Sequence, residues 1–202
     1  MLIPCLRKVN LFFRKNASGA STVADYYFDT ETTGFNPDVD EIITIQWQRL
    51  NELTGEPMGE LNILKRWESS EKEIMGIFAP NLRSKPFDFV FVGKNLMFDF
   101  CLLNQRMKQY DLGEIDLRYL YDRALVDLKP VLVMINNGRF RGYGDVLPRT
   151  NPVRNEDIPQ LYREGRYSEI VRYIKDEAED FTNAYQILKR EMPRLKNLIT
   201  KP

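Results

Sequence analysis

The chain has 202 residues, 43% apolar and 29% charged, which suits a soluble globular protein with one α/β domain and a full core. It contains no histidine, which excludes a Ser-His-Asp triad, a Cys-His dyad and every His-ligated metal site, so any hydrolysis must draw on carboxylates, metals, Tyr, Lys or Arg. The 29 basic and 29 acidic residues cancel, so a nucleic-acid partner would need a local basic surface.

No apolar run approaches the roughly 18 residues that span a bilayer. Met1 to Phe13 sets basic residues among its apolar clusters and lacks a clear cleavage site, which argues against a signal peptide. Cys5 and Cys101 are too few for a zinc site or a disulfide framework, and a reducing cytoplasm is the expected compartment. Residues 1–24 carry Arg7, Lys8, Arg14 and Lys15, no acid, and a linker-like end, Asn16-Ala17-Ser18-Gly19-Ala20-Ser21. They read as a basic N-terminal extension, either an arm for nucleic acid or a loosely packed tail, ahead of a domain over residues 25–202.

The first strand is expected over residues 23–29 and the second over 41–50, where Ile42, Ile43, Ile45 and Trp47 recur. The turn Leu53-Thr54-Gly55-Glu56-Pro57 leads to a third strand over 61–67, completing a meander. Ser70-Glu71-Lys72-Glu73 has capping-box spacing and opens a helix through Phe78. Phe87 to Val92 is apolar except for Asp88 and fits a buried central strand. A helix over 98–110 follows, then a short strand over 124–127 and a helix over 131–135 with Pro130 in its first turn. Residues 136–156 read as irregular, and a long helix over 168–190 closes the chain. Strands first, then alternating helices and strands, predict an α/β mixed sheet with helices on both faces.

Three motifs sit on this frame. Tyr27-Phe28-Asp29-Thr30-Glu31-Thr32-Thr33-Gly34-Phe35 ends an apolar strand in two carboxylates one residue apart. Residues i and i+2 of a strand share a face, so Asp29 and Glu31 project side by side and repel unless a cation sits between them. A hard divalent ion, Mg²⁺ or Mn²⁺, suits such oxygen ligands. Gly93-Lys94-Asn95-Leu96-Met97-Phe98-Asp99 follows the buried strand, with Asn95 as the expected N-cap and Asp99 in the first turns of its helix. Tyr173-Ile174-Lys175-Asp176-Glu177-Ala178-Glu179-Asp180 lies on the last helix. Asp127 ends a strand and reads as a cap for the following helix or as a supporting group of the site.

Asp-Thr-Glu-Thr-Thr-Gly after aromatic residues resembles the first motif of the DEDD 3′–5′ exonucleases, the DnaQ-like family. Gly-x-Asn-x-x-Phe-Asp resembles their second. The family's third motif puts its acid four residues after Tyr or five after His, and without histidine only the Tyr-type branch is open. Tyr173 with Glu177 fills that place, though the family pattern has Asp where this chain has Glu177. With about 100° per residue and Tyr173 at zero, Ile170, Ile174, Phe181, Tyr185 and Leu188 fall near 60–120°, Glu177 near 40°, Asp180 near −20° and Asp176 near −60°. Glu177 thus borders the core stripe, Asp180 is the reserve, and Asp176 is expected to face solvent.

The resemblance covers nearly the whole chain after residue 24 and implies a ribonuclease H-like fold. The first strand would be central in a mixed five-stranded sheet, a three-strand meander followed by parallel strands. It implies that two divalent metal ions, Mg²⁺ or Mn²⁺, grip the scissile phosphate about 4 Å apart. Asp29 would bridge both, Glu31 and Asp99 would support one, and Glu177 the other, while Tyr173 would hold the attacking water. Thr32, Thr33, Gly34 and Phe35, with Asn95, would meet the terminal nucleotide. Arg139 and Arg141, beside Phe140 and Tyr143, suit phosphate contact and base stacking on a single strand, or form a solvated loop. The implied activity is 3′–5′ exonucleolytic hydrolysis at single-stranded DNA or RNA 3′ ends. The alternative is a non-catalytic nucleic-acid binder or polymerase accessory that keeps the fold, favoured by the departure at Glu177. No membrane partner is expected, and no replication or repair partner is legible.

Overall fold

The computed structural model describes residues 23–82, 89–116, 122, 124–139 and 152–200. The expected extension over residues 1–24 lies outside them except for its last two residues, and Phe140, Arg141 and Tyr143 lie outside them too.

The first strand, β1 (Ala24–Thr32), is central in a five-stranded sheet of order β3-β2-β1-β4-β5. On one side it pairs antiparallel with β2 (Ile42–Leu50), which pairs antiparallel with β3 (Asn62–Lys65). On the other it pairs parallel with β4 (Phe89–Gly93), which pairs parallel with β5 (Leu125–Asp127). This is the mixed ribonuclease H-like sheet that the sequence predicts. The expected boundaries shift in ways that matter. β1 runs on to Thr32, because Thr30, Glu31 and Thr32 continue the ladder with β2, so both carboxylates lie inside the strand. Glu31 pairs with Thr44 but Thr32 with Ile42, which makes Ile43 the extra residue of a bulge beside the carboxylates.

Period-two alternation in β1 sorts its side chains between two apolar layers. Tyr26 and Phe28 join Trp47, Phe91 and Ile45 under α1 (Glu71–Leu82) and α2 (Leu96–Gln109), with Phe28 stacked between Phe78 and Phe100. Tyr27 faces the other way, against α3 (Leu128–Ile135) and the long closing helix α5 (Tyr167–Ile199), where it meets Leu128, Ala178, Phe181 and Tyr185. A short helix that the sequence reading left out, α4 (Ile158–Arg163), brings Ile158 and Leu161 against Ile170, Tyr173, Ile174 and the bulged Ile43. Its six residues, with proline second, are too short to leave a periodic signature. The other helices begin earlier or run longer than predicted, α2 starting at Leu96 and α5 reaching Ile199 through Pro193. Among the described residues no helix is long and apolar enough to cross a membrane.

Candidate active site

The carboxyl ends of the three parallel strands lie together: Thr32 of β1, Gly93 of β4 and Asp127 of β5. Ligands of open α/β sheets bind outside such ends. Here the ends carry acids. Asp29 and Glu31, on the face of β1 turned toward α5, meet Glu177 one turn after Tyr173, and one carboxylate oxygen from each lies within 4.8 Å of the others. The expected sharing of a face by Asp29 and Glu31 therefore holds, and the helical wheel selects the acid that arrives. Glu31, Asp99 and Glu177 are only 2%, 3% and 5% exposed.

Asp99 reaches the same small cavity, of about 80 Å³, from the opposite layer. It stands outside the close trio and is held by Thr30, whose hydroxyl donates to Asp99 Oδ1 at 2.5 Å. Alternation explains the division: Thr30 points toward α2, and its neighbours Asp29 and Glu31 point toward α5. The trio thus joins Glu31 with Glu177, and Asp99 faces them across the cavity.

Several supporting groups went unseen in the sequence. Gln46 lies directly across the ladder from Asp29 and donates from Nε2 to Asp29 Oδ2 at 3.1 Å. Thr44 in turn donates to Gln46 Oε1 at 2.9 Å and fixes the amide's orientation. A polar residue on the inward face of β2 becomes meaningful only once the register pairs it with Asp29. Lys94 brings positive charge, its Nζ lying 3.9 Å from Glu177 Oε1.

Asn95 occupies the residue before α2, as expected, but its side chain does not cap the helix. Its backbone is left-handed, with φ 62°, a conformation asparagine tolerates better than most residues. The Oδ1 of Asn95 instead accepts from Lys129 Nζ at 2.7 Å. The capping passes to Asp127, whose carboxylate accepts from the Asn95 and Leu96 backbone N–H groups at 2.8 and 3.1 Å and from Lys129 N–H at 2.9 Å. Asp127 therefore both caps α3 and ties the tip of α2 to β5. Gly93 makes this junction possible, since a Cβ there would run into the Phe28 carbonyl oxygen and the Leu96 side chain.

Thr32, Phe35 and Asn95 line the cavity with the carboxylates, and Phe98, the aromatic residue of the second motif, packs against Phe35 with ring centroids 5.9 Å apart. Thr33 and Gly34 are not in its wall but shape the loop that presents Phe35. Thr33 donates to Asp40 Oδ1 at 3.0 Å and accepts from Glu41 N–H at 2.9 Å, and Asp40 fills the space a Cβ on Gly34 would need. Phe35 itself is 71% exposed. Tyr173 is buried in the α4–α5 layer and is not among the residues lining the cavity. Asp176 and Asp180 are half-buried rather than open to solvent, and neither joins the trio. Arg139 is exposed just beyond the end of α3, and Arg141 lies outside the described residues.

So many carboxylates in a small, largely buried cavity resist ionisation. Burial pushes Asp29 well above the ordinary carboxylate range, with Glu177 and Asp99 adding repulsion, while Lys94 and the Gln46 hydrogen bond pull the other way. Burial raises Glu31 in the same direction, followed by repulsion from Glu177 and Asp29. Asp99 rises to about 7, also by burial first, moderated by the Thr30 hydrogen bond. The phenol of Tyr27 is raised by burial and then by the same acids. Glu31 Oε1 is buried and finds no hydrogen-bond partner among the described residues. Hard oxygen donors converging within 4.8 Å around such an oxygen fit a divalent cation.

The family model described as RNase_H superfamily matches residues 26–143, more than half of the chain. The chain belongs to the RNase H superfamily. By sequence, no curated protein matches it. Among solved structures, it is similar to Escherichia coli exonuclease I in its zinc-bound complex with single-stranded DNA, with TM-score 0.59 and 13% identity over 88% of this chain and 43% of that one. It is also similar to the family B DNA polymerase of Pyrobaculum calidifontis, with TM-score 0.55 and 16% identity over 86% of this chain and 25% of that one. Exonuclease I of Methylocaldum szegediense gives TM-score 0.53 and 16% identity over 88% of this chain and 43% of that one. These likenesses are of fold, and the superfamily chain described here spans less than half the length of each of the three.

Proposed function

We propose that this RNase H superfamily member is a metal-dependent 3′–5′ exonuclease acting on single-stranded DNA or RNA ends. The observation that carries the reading is the convergence of Asp29, Glu31 and Glu177 within 4.8 Å at the end of the central strand, with Asp99 across the same cavity. The fold shared with an exonuclease solved on single-stranded DNA supports it. The family's first two motifs fall on the cavity residues and support the 3′–5′ polarity. Asp29, Glu31, Asp99 and Glu177 would hold the two divalent ions. When bound, Mg²⁺ or Mn²⁺ supplies the acidity that makes water a nucleophile at neutral pH and the charge that stabilises the leaving oxygen.

The chain's own residues set the geometry. Gln46 orients Asp29, and Thr30 orients Asp99, so neither carboxylate has to reorganise when the site fills. Phe35 and Phe98 offer an aromatic pair at the cavity mouth on which a terminal base can stack, while Thr32 and Asn95 offer polar contacts beside it. Tyr173, four residues before Glu177, is the feature that supports the Tyr-type branch. Its burial suits a place behind the carboxylates, beside Tyr27, better than direct contact with water in the cavity. Arg139 and Arg141 would guide the strand away from the site, and residues 1–24 would form an extension outside the exonuclease domain of residues 25–202.

The competing reading, a binder that keeps the fold without catalysis, rests on Glu177 standing where the family has Asp. Digestion of 5′-labelled DNA and RNA oligonucleotides with Mg²⁺, Mn²⁺ or EDTA separates the two. A metal-dependent ladder of shortened products supports the exonuclease. Retention of full-length substrate by a protein that binds it supports the binder.

A further inference from the structure

Lys94 stands beside the trio and lies within the second motif, yet the motif gives it no role. It follows Gly93 at the end of β4, and its side chain is 20% exposed. The ammonium stands 5.3 Å from the centroid of the Phe181 ring, one turn beyond Glu177 on α5. Its backbone is held on both sides, by the close approach of Gly93 to Phe28 and by the Asp127 and Lys129 contacts of Asn95. The 3.9 Å to Glu177 Oε1 is too long for a hydrogen bond and lies at the outer edge of ion-pair range, between side chains buried enough that solvent screens them less than on the surface. The carboxylate Lys94 pairs with is one that a divalent ion would also need.

We propose that Lys94 is a tethered competitor of the divalent metal, neutralising the Glu177 side of the site until the metal and a nucleic-acid phosphate arrive together. This inference rests on the metal-nuclease reading above. A metal ion entering the trio meets an ammonium already beside Glu177, and like charges in a buried volume weaken each other's binding. A phosphate in the cavity offers Lys94 a replacement anion, since Lys94 lines the same wall as Asn95 and Phe98. Metal and phosphate therefore favour each other's binding, a coupling that is reciprocal by linkage.

The test is Mn²⁺ titration of the full-length protein, with free Mn²⁺ read by electron paramagnetic resonance, first alone and then with thymidine 5′-monophosphate. Lys94→Met and the uncharged Lys94→Gln should each bind Mn²⁺ about tenfold more tightly than wild type without nucleotide, whereas Lys94→Arg should stay near wild type. The nucleotide should tighten Mn²⁺ binding severalfold in wild type and much less in Lys94→Met. A variant that loses its fold without metal should regain it with Mn²⁺, visible as a larger metal-dependent rise in Tm than in wild type. Equal or weaker Mn²⁺ binding by both uncharged variants overturns the competitor role while leaving the metal site standing. Failure of every protein, wild type included, to bind millimolar Mn²⁺ overturns the metal-site reading and this inference with it.

Discussion

Carboxyl groups crowded into a small, largely buried cavity govern this protein at the scale of single residues. Asp29, Glu31 and Glu177 crowd together because a strand face and a helix shoulder deliver them to one point, and removing any one relieves repulsion while removing a ligand. Asp29→Ala is expected to abolish hydrolysis without unfolding the protein, and in chelator its Tm should equal or exceed that of wild type. Glu177→Gln should remove nearly all activity, whereas Asp176→Asn and Asp180→Asn, outside the trio, should leave most of it. Measured turnover of the three variants at saturating Mn²⁺ decides which acid completes the site. The pH dependence follows from Asp99, raised to about 7 by burial. The unfolded chain gives up this proton near 3.9, so between about 4 and 7 the folded state binds more protons than the unfolded. Metal-free stability must therefore fall as pH rises through that window, and urea midpoints in EDTA should be lower at pH 8 than at pH 5. Mn²⁺, which favours the ionised form, should flatten or reverse the trend. Asp29 and Glu31 were legible because their i, i+2 spacing puts them on one strand face, whereas Asp99 and Glu177 were legible through the resemblance of their motifs, with the helical wheel choosing Glu177. Gln46 and Lys94 were not, since one acts through cross-strand register and the other through a side chain reaching a distant helix.

At the scale of elements, the site depends on how β4 hands over to α2. Gly93 lets the start of α2 lie against β1, and Asp127 holds that start with two backbone hydrogen bonds. Gly93→Ala should force the connection outward, costing roughly 1–3 kcal/mol as overpacking does, read as a lower urea midpoint. Asp127→Ala leaves three backbone N–H groups without their acceptor, and about 1–3 kcal/mol is at stake if they find no water. Activity should fall more than stability does, because Lys94, Asn95 and Asp99 all ride on this junction, and the comparison of kcat with urea midpoint shows it. The strand-then-helix order was legible from composition and periodicity. Two details were not. A bulge at Ile43 depends on pairing between strands, and the six-residue helix α4 is fixed by burial of Ile158 and Leu161 rather than by any local pattern.

Across the whole molecule, the sheet joins the two ends of the described chain. Asp25, at the start of β1, accepts from the Tyr185 hydroxyl at 2.6 Å and pairs with Lys189 at 2.9 Å, which anchors α5 across the sheet 160 residues later in sequence. That anchor keeps Glu177 in register with Asp29, so a site assembled from three motifs far apart in sequence is held by the core rather than by a loop. The neutral overall charge leaves substrate attraction to the cavity and its surroundings. The central claim is that these carboxylates drive metal-dependent removal of nucleotides from a 3′ end. Its most direct test is digestion of a 5′-labelled single-stranded oligonucleotide, DNA and RNA in parallel, with Mg²⁺, Mn²⁺ or EDTA, by wild type and by Asp29→Ala. The account predicts a ladder of progressively shorter labelled products from wild type with metal, and none in EDTA or from Asp29→Ala. Cleavage that persists in EDTA or in Asp29→Ala, or immediate release of a labelled mononucleotide with no ladder, would contradict it.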